Sequence, residues 1–276
     1  MNTKGNCRTA AWASLIIAVC MAPLTAVAKP LKIGGTGAAI GTMQVLAEEY
    51  RQVDPSFALT IIAGLGSGGG IKAAAAGALD FALSGRPLKA QEQAEDLRAH
   101  DYGRTPFVIV TNKEGVENLS LLQLERIIGS SSPTWEDGAP VRLVLRPVTD
   151  ADTELLGAFS PGVKQALADA HKRGGMVRAI TDQESAEESE RLPGSLGTST
   201  VALLRSEKRA LRVVNIDGVA PTPQNFASGV YPHGKTMIIV TKGPPNEATQ
   251  KFLDFIASEK GRLVLVRLGH LVPSTH

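Results

Sequence analysis

From residue 31 onward, short apolar runs alternate with helical stretches, and this alternation limits the available folds more than any other feature. Leu31–Ile33 reads as a strand, Gly34–Gly37 as a glycine-rich turn and Ala38–Val53 as a helix. Ala58–Ile62 is a second strand, and Gly64–Gly70 a loop opening a helix through Ala76. Leu79–Leu83, Lys89–Ala99 and Phe107–Thr111 follow as strand, helix and strand. A β-α-β-α-β order predicts a mainly parallel sheet flanked by helices.

The character of the chain shifts after Thr111. Helices are expected at Leu121–Ile128, Thr149–Phe159 and Gly162–His171, and strands at Val141–Leu145 and Leu211–Ile216. Gly174–Arg191 reads as loop with a helix, and Thr198–Leu204 as helical or mixed. Tyr231-Pro232 breaks the chain before the β-branched run Thr236–Thr241 and two closing helices, Asn246–Ser258 and Gly261–Leu268. The simplest assembly is two α/β lobes, 29–112 and 113–230, with residues 231–276 returning to the first. Two crossovers, near 112 and 231, make such a pair of lobes a hinge-closing device.

Residues 1–28 read as an export signal. Lys4 and Arg8 precede the apolar stretch Ala10–Leu24, and Ala26-Val27-Ala28 supplies a small-x-small cleavage site. Ser14 and Pro23 interrupt the apolar stretch, which is short for a span of about 20 residues. Lipid attachment at Cys20 is disfavoured by the bulky Val19 before it. A periplasmic protein is expected, and it contains no cysteine, because Cys7 and Cys20 both lie in the signal. Its core must hold without disulfides. Lys4 and Arg8 also account for the whole excess of 29 basic over 27 acidic residues. A neutral body with 4% aromatic residues offers neither a phosphate-tracking face nor base-stacking platforms, so no nucleic-acid partner is expected.

Three turns combine glycine or hydroxyl residues with a following helix: Gly34–Gly37, Gly66–Gly70 and the segment after Arg146. Helix N-termini present unpaired N–H groups and partial positive charge, and glycine lets an anion approach the backbone. Ordinary capped strand-to-helix turns share this pattern. Neither glycine turn is a Walker A loop, and neither carries the full dinucleotide fingerprint. The five histidines lack metal-ligand spacing, and Ser195 sits outside any nucleophile elbow, so neither metal, cofactor nor catalytic residue is expected.

Gly66-Ser67-Gly68-Gly69-Gly70-Ile71-Lys72, followed by Asp80–Ser84, closely resembles the phosphate-binding proteins of bacterial ABC importers. Gly34–Thr42, Leu121–Trp135, Tyr231-Pro232 and Phe252–Leu268 with Gly269–Pro273 are similar to further stretches of that family. The resemblance spans most of 31–273 and implies a two-lobed, type II periplasmic binding protein capturing a tetrahedral oxyanion. Thr36, Ser67 and Arg146 match the family's ligand positions, and Gly37, Gly68 and Ser84 are expected to bind the ligand beside them. Arg146 also ends an apolar strand, where open α/β sheets place ligands.

Two positions depart from the family. Gly85 stands where an aspartate follows the serine, with Arg86 next. Thr149-Asp150-Ala151-Asp152-Thr153 stands where Ser-Gly-Thr follows the arginine. A carboxylate facing an anion without a shared proton is repulsive. Asp150 or Asp152 is therefore expected to accept the anion's proton while Arg86 adds a cation, with Thr153 beside them. Alternatively the ligand has changed to a phosphonate, another oxyanion or a zwitterion, in a sensing role. Helix capping by Thr149 and the two aspartates explains the same residues structurally. The leading expectation is phosphate capture for an ABC permease or a membrane sensor by a monomer. A hydrolase of phosphorylated compounds is the least favoured reading, because no nucleophile–base pair is visible.

Overall fold

The computed structural model describes residues 1–2, 29–93 and 96–273. The export signal read over 1–28 therefore lies, but for its first two residues, outside the described residues.

The first half begins with β1 (Leu31–Gly35), a 3-10 turn (Gly37–Ala39) and α1 (Ile40–Arg51). β2 (Leu59–Ile62), α2 (Gly66–Ala75), β3 (Phe81–Ser84) and the short α3 (Ala90–Gln93) follow. β4 (Leu97–Thr111) then runs into the second half. That half holds β5 (Asn118–Leu119), α4 (Leu121–Gly129), β6 (Arg142–Leu145), α5 (Ala151–Gly157) and α6 (Pro161–Lys172). It continues with β7 (Val177–Arg178), α7 (Asp182–Arg191), β8 (Ser195–Thr200), α8 (Val201–Ser206), β9 (Arg212–Ile216) and α9 (Pro223–Ala227). β10 (Gly234–Lys242), α10 (Glu247–Ala257) and α11 (Glu259–Arg267) return to the first half.

The strand order is β2-β1-β3-β10-β4-β8-β6-β7, with β9 paired to β4 and β5. β1 lies parallel to β2 and β3, and β6 parallel to β7 and β8. The long strands that join the halves are antiparallel to their neighbours: β10 to β3 and β4, and β4 to β8 and β9. β4 pairs with β10 as far as Pro106, then with β8 from Phe107. The returning chain lies beside it. Tyr231 donates its hydroxyl to the Phe107 carbonyl at 2.7 Å, and the Phe107 N–H donates to His233 at 3.1 Å.

Each half has its own core, and within each half the strands alternate their side chains between the two faces of the sheet. Phe107 and Ile109 enter a cluster with Leu124, Trp135, Leu143, Val163 and Leu196, whereas Val108 and Val110 meet Val201 and Leu204 on the opposite face. In the first half, Phe81, Leu83, Met237 and Ile239 pack with Met43, Tyr50 and Phe252, while Ala82, Ile238 and Val240 meet Ile71.

Three local expectations change. The helix expected over Lys89–Ala99 is one turn, and β4 has already begun at Leu97. The ladder with β10 extends down to Leu97 opposite Lys242, and this long-range pairing overrides the local helical pattern. Most of the Gly64–Gly70 stretch is helix, since α2 starts at Gly66. The mixed stretch at 198–204 resolves into the end of β8 followed by α8, capped by Thr200 accepting from the Leu203 N–H.

Candidate functional site

β1 ends at Gly35 with φ 142°, and a Cβ there would stand 2.0 Å from the Leu83 carbonyl oxygen, so only glycine closes this turn onto β3. Thr36 follows, buried, with its N–H donating to Leu83 at 2.9 Å. The N-terminal end of the 3-10 turn thus points across the junction toward the second half, where it meets α7.

α7 begins with Asp182, capped by the Thr181 hydroxyl, which accepts from the Glu184 N–H. The Asp182 carboxylate accepts from the Ala38 N–H and, at 3.5 Å, from the Thr36 hydroxyl. Gln183 beside it donates to the Gly37 carbonyl at 2.8 Å and to Glu207 at 2.7 Å. The Gly37 position leaves no room for a side chain, as a Cβ would lie 2.9 Å from Asp182 Oδ2.

Arg146 leaves β6 fully buried. One guanidinium nitrogen donates to the Ala179 carbonyl at 2.8 Å. The other donates to Asp150 at 2.9 Å and stands 3.9 Å from Asp182. Asp150 caps α5 by accepting from the Asp152 N–H at 2.9 Å, and Thr153 donates to the Pro147 carbonyl at 2.9 Å. Asp150 thus serves at once as the cap of α5 and as an ion-pair partner of Arg146.

Lys235, second residue of β10, completes the group. Its Nζ lies 2.5 Å from Asp152 and 3.1 Å from Asp182, and all three side chains are buried. Two cations and three carboxylates therefore meet where β6, β10, α5, α7 and the first turn converge. Burial, aided by the charges of Asp182 and Asp150, pushes the Asp152 carboxyl up against the pull of Lys235. Burial also acts to raise Asp182, but Lys235, Arg146 and the Ala38 N–H outweigh it and hold that carboxyl down. Lys235 loses solvation as well, yet the two aspartates raise it and keep it charged.

The remaining predicted residues lie at the rim or serve local turns. The Ser67 hydroxyl accepts from the Gly85 N–H at 3.0 Å, and Ser84 donates to the Arg86 carbonyl at 2.6 Å. Arg86 is held by Glu92 through two bonds of 2.8 Å and is turned toward Pro87 and α3, with Gly68 nearby. Lys235 and Asp182 were absent from the sequence reading. Lys235 is a lone cation opening a β-branched strand that reads as buried, and Asp182 follows a capping threonine; each is a faint signal by itself.

Residues 22–260 match the PBP superfamily domain. The chain belongs to the PBP superfamily. Within this superfamily it is 26% identical over 255 residues to the phosphate-binding protein PstS of Bacillus subtilis (strain 168), covering 89% of this chain and 81% of that protein. It is 24% identical over 254 residues to protein SphX of Synechococcus elongatus, covering 83% and 73%. Its fold is that of type II periplasmic binding proteins. A putative phosphate ABC transporter substrate-binding protein from Clostridium perfringens, solved with bound phosphate, superposes with a TM-score of 0.75 at 21% identity, over 89% of this chain and all of that one. The periplasmic molybdate-binding protein of Azotobacter vinelandii superposes with a TM-score of 0.63 at 17% identity, over 88% and 100%. The fold is one shared with substrate-binding proteins.

Proposed function

We propose that this PBP-superfamily protein is a periplasmic receptor that captures phosphate or a similar tetrahedral oxyanion between its halves and delivers it to an ABC permease. One observation carries the reading: the Thr36 hydroxyl, the Ala38 N–H, Arg146 and Lys235 converge from both halves on a single carboxylate. Donors so arranged suit a compact anion with several oxygens, and the guanidinium adds a planar fork. The names of the Bacillus and Clostridium relatives point to phosphate. In this reading residues 29–112 and 231–276 form one lobe, 113–230 the other, and Thr36, Gly37, Ser67, Gly68 and Arg146 face the ligand. Export by residues 1–28 and action as a monomer belong to the same proposal. No helix among the described residues is long and apolar enough to cross a membrane.

Calorimetric titration of the purified protein with phosphate, sulfate and molybdate tests the reading. Binding of one of these anions at micromolar concentration, lost in Arg146→Ala, is the expected result. No binding of any at millimolar concentration overturns it.

The excess of carboxylates over cations favours one second reading: a ligand that also carries a positive or hydrogen-bond-donating group, such as a zwitterionic phosphonate. Tighter binding of an aminophosphonate than of phosphate in the same titration would select it.

A further inference from the structure

Asp182 does to the first half what a ligand would do. It reaches across the junction from the N-terminus of α7 and takes the Ala38 N–H and the Thr36 hydroxyl, donors 144 and 146 positions away in sequence. It also shares Lys235 with Asp152 and lies within ion-pair reach of Arg146. Gln183 on the same turn fastens α7 to the Gly37 carbonyl. The two halves are thereby drawn together by the protein's own anion.

Charge counting shows what an incoming oxyanion must do. With Asp182 in place, Lys235 and Arg146 face three carboxylates, and the cluster is already negative. Adding a dianion to that buried group is unfavourable, since like charges in a poorly solvated site repel strongly. Removing Asp182 leaves Lys235 paired to Asp152 and Arg146 paired to Asp150, each cation with one carboxylate. The donors released are those the anion needs. Arg146 holds one more in reserve: its buried Nε–H has no acceptor among the described residues. A ligand and the Asp182 carboxylate are therefore alternatives for one place.

We infer that Asp182 is an intramolecular competitor of the solute, a built-in anion that occupies the oxyanion site and closes the cleft until the ligand displaces it. This inference rests on the oxyanion reading above. It makes Asp182 a determinant of affinity and specificity, because only an anion that satisfies these donors better than a tethered carboxylate can enter. A tethered occupant lowers apparent affinity by the fraction of molecules in which it is bound.

The experiment compares wild type with Asp182→Ala. Both are titrated with potassium phosphate, sulfate and molybdate by calorimetry at pH 8, and small-angle scattering is recorded with and without phosphate. Asp182→Ala is expected to bind phosphate at least about tenfold more tightly. Its ligand-free radius of gyration is expected to exceed that of wild type and to contract on adding phosphate. Unchanged or weaker binding in the variant overturns the inference, because Asp182 would then be neutral or a ligand contact. Asp182→Asn, which keeps the shape and removes the charge, gives the same test if the alanine variant has no cooperative melting transition. Binding by wild type with no gain in either variant sinks the competition alone. Failure of every protein to bind any of the three anions sinks the oxyanion reading and the competition with it.

Discussion

Gly85 and Lys235 share one volume: a Cβ on Gly85 would stand 2.4 Å from Lys235 Cε and 3.4 Å from the Thr36 hydroxyl oxygen. The absence of a side chain at 85 is thus the steric condition for the lysine to reach Asp152 and Asp182. Where the family resemblance leads one to expect an aspartate after Ser84, this chain has Gly85, and the Lys235 stem fills the volume beside it. The carboxylates that meet the lysine come from α5 and α7 in the other half.

Gly85→Ala is accordingly expected to destabilise the protein by about 2 kcal/mol, the usual range for overfilling a packed site. The lysine end is flexible in general but is pinned here by two ion pairs. In the Lys235→Ala background the added methyl has room, and the further cost should be within about 0.5 kcal/mol. Urea unfolding of the four proteins of this cycle measures the coupling; additive costs would mean that the two positions are independent.

Lys235→Met is expected to cost about 3–5 kcal/mol near neutral pH, because it leaves two buried carboxylates with Arg146 alone. The loss should depend on pH. In the folded protein Asp152 is raised from the usual 3.8 to about 6, so its contribution to stability is present below pH 3.8 and lost as pH rises through 6. Without the lysine that penalty grows, so the deficit should be larger at pH 8 than at pH 5. Asp182 acts oppositely: held down to about 2, it contributes above pH 3.8 and is lost only as pH falls toward 2. Unfolding midpoints at pH 5 and pH 8 check the direction, and an equal deficit at both would count against the assignment.

The two arginines beside the cleft should behave differently. Arg146→Ala should abolish measurable oxyanion binding, whereas Arg86→Ala should change affinity by no more than about threefold, because Glu92 already engages its guanidinium with two bonds of 2.8 Å. That pair is partly exposed, and its contribution to stability should be about 1 kcal/mol or less. Its salt bridge holds the Glu92 carboxyl at about 2, so the arrangement persists through the physiological range. A large loss of affinity in Arg86→Ala would show that the arginine turns from Glu92 to the ligand.

His270 supplies a separate acid-sensitive point. It is buried, with Nε2 3.1 Å from the Thr42 hydroxyl, and burial holds its imidazole down to about 3. A histidine favoured neutral in the fold contributes stability above its ordinary 6.5, and that contribution is lost as pH falls from 6.5 toward 3. At pH 4.5 the loss should be on the order of 2 kcal/mol. His270→Gln should flatten the fall in melting temperature between pH 7 and pH 4.5; a slope like that of wild type would rule out this origin.

Much of the architecture was legible because it is written at short range. The continuous apolar run Phe107–Thr111 announced a strand, and Arg146 at the end of an apolar strand announced a residue at the mouth of a sheet. Tyr231-Pro232 marked the return. The reading failed where pairing over distance overrode local pattern. Leu97–Ala99 looks helical beside Ala90–Gln93 but is held extended by β10, some 140 positions later. Arg86 looked like a spare cation because the helix expected over Lys89–Ala99 does not by itself show that Glu92, six positions on, turns back to the guanidinium.

The site divides in the same way. The order of residues settles the parts: glycine turns that end strands, an arginine at a strand terminus, an aspartate that caps α5, and a nearly balanced charge, +2 over the whole chain, that excludes a broad positive field. The packing of distant elements settles their roles. Whether a carboxylate is a cap, a proton acceptor or a stand-in for the ligand depends on which cation lies within a few ångströms of it. That distance is set by how β10, α5 and α7 meet, since Coulomb energy in a buried site falls with separation in space and takes no account of separation along the chain. Lys235 and Asp182 are 53 residues apart in sequence and 3.1 Å apart in the fold, and the character of the cleft resides in that second number.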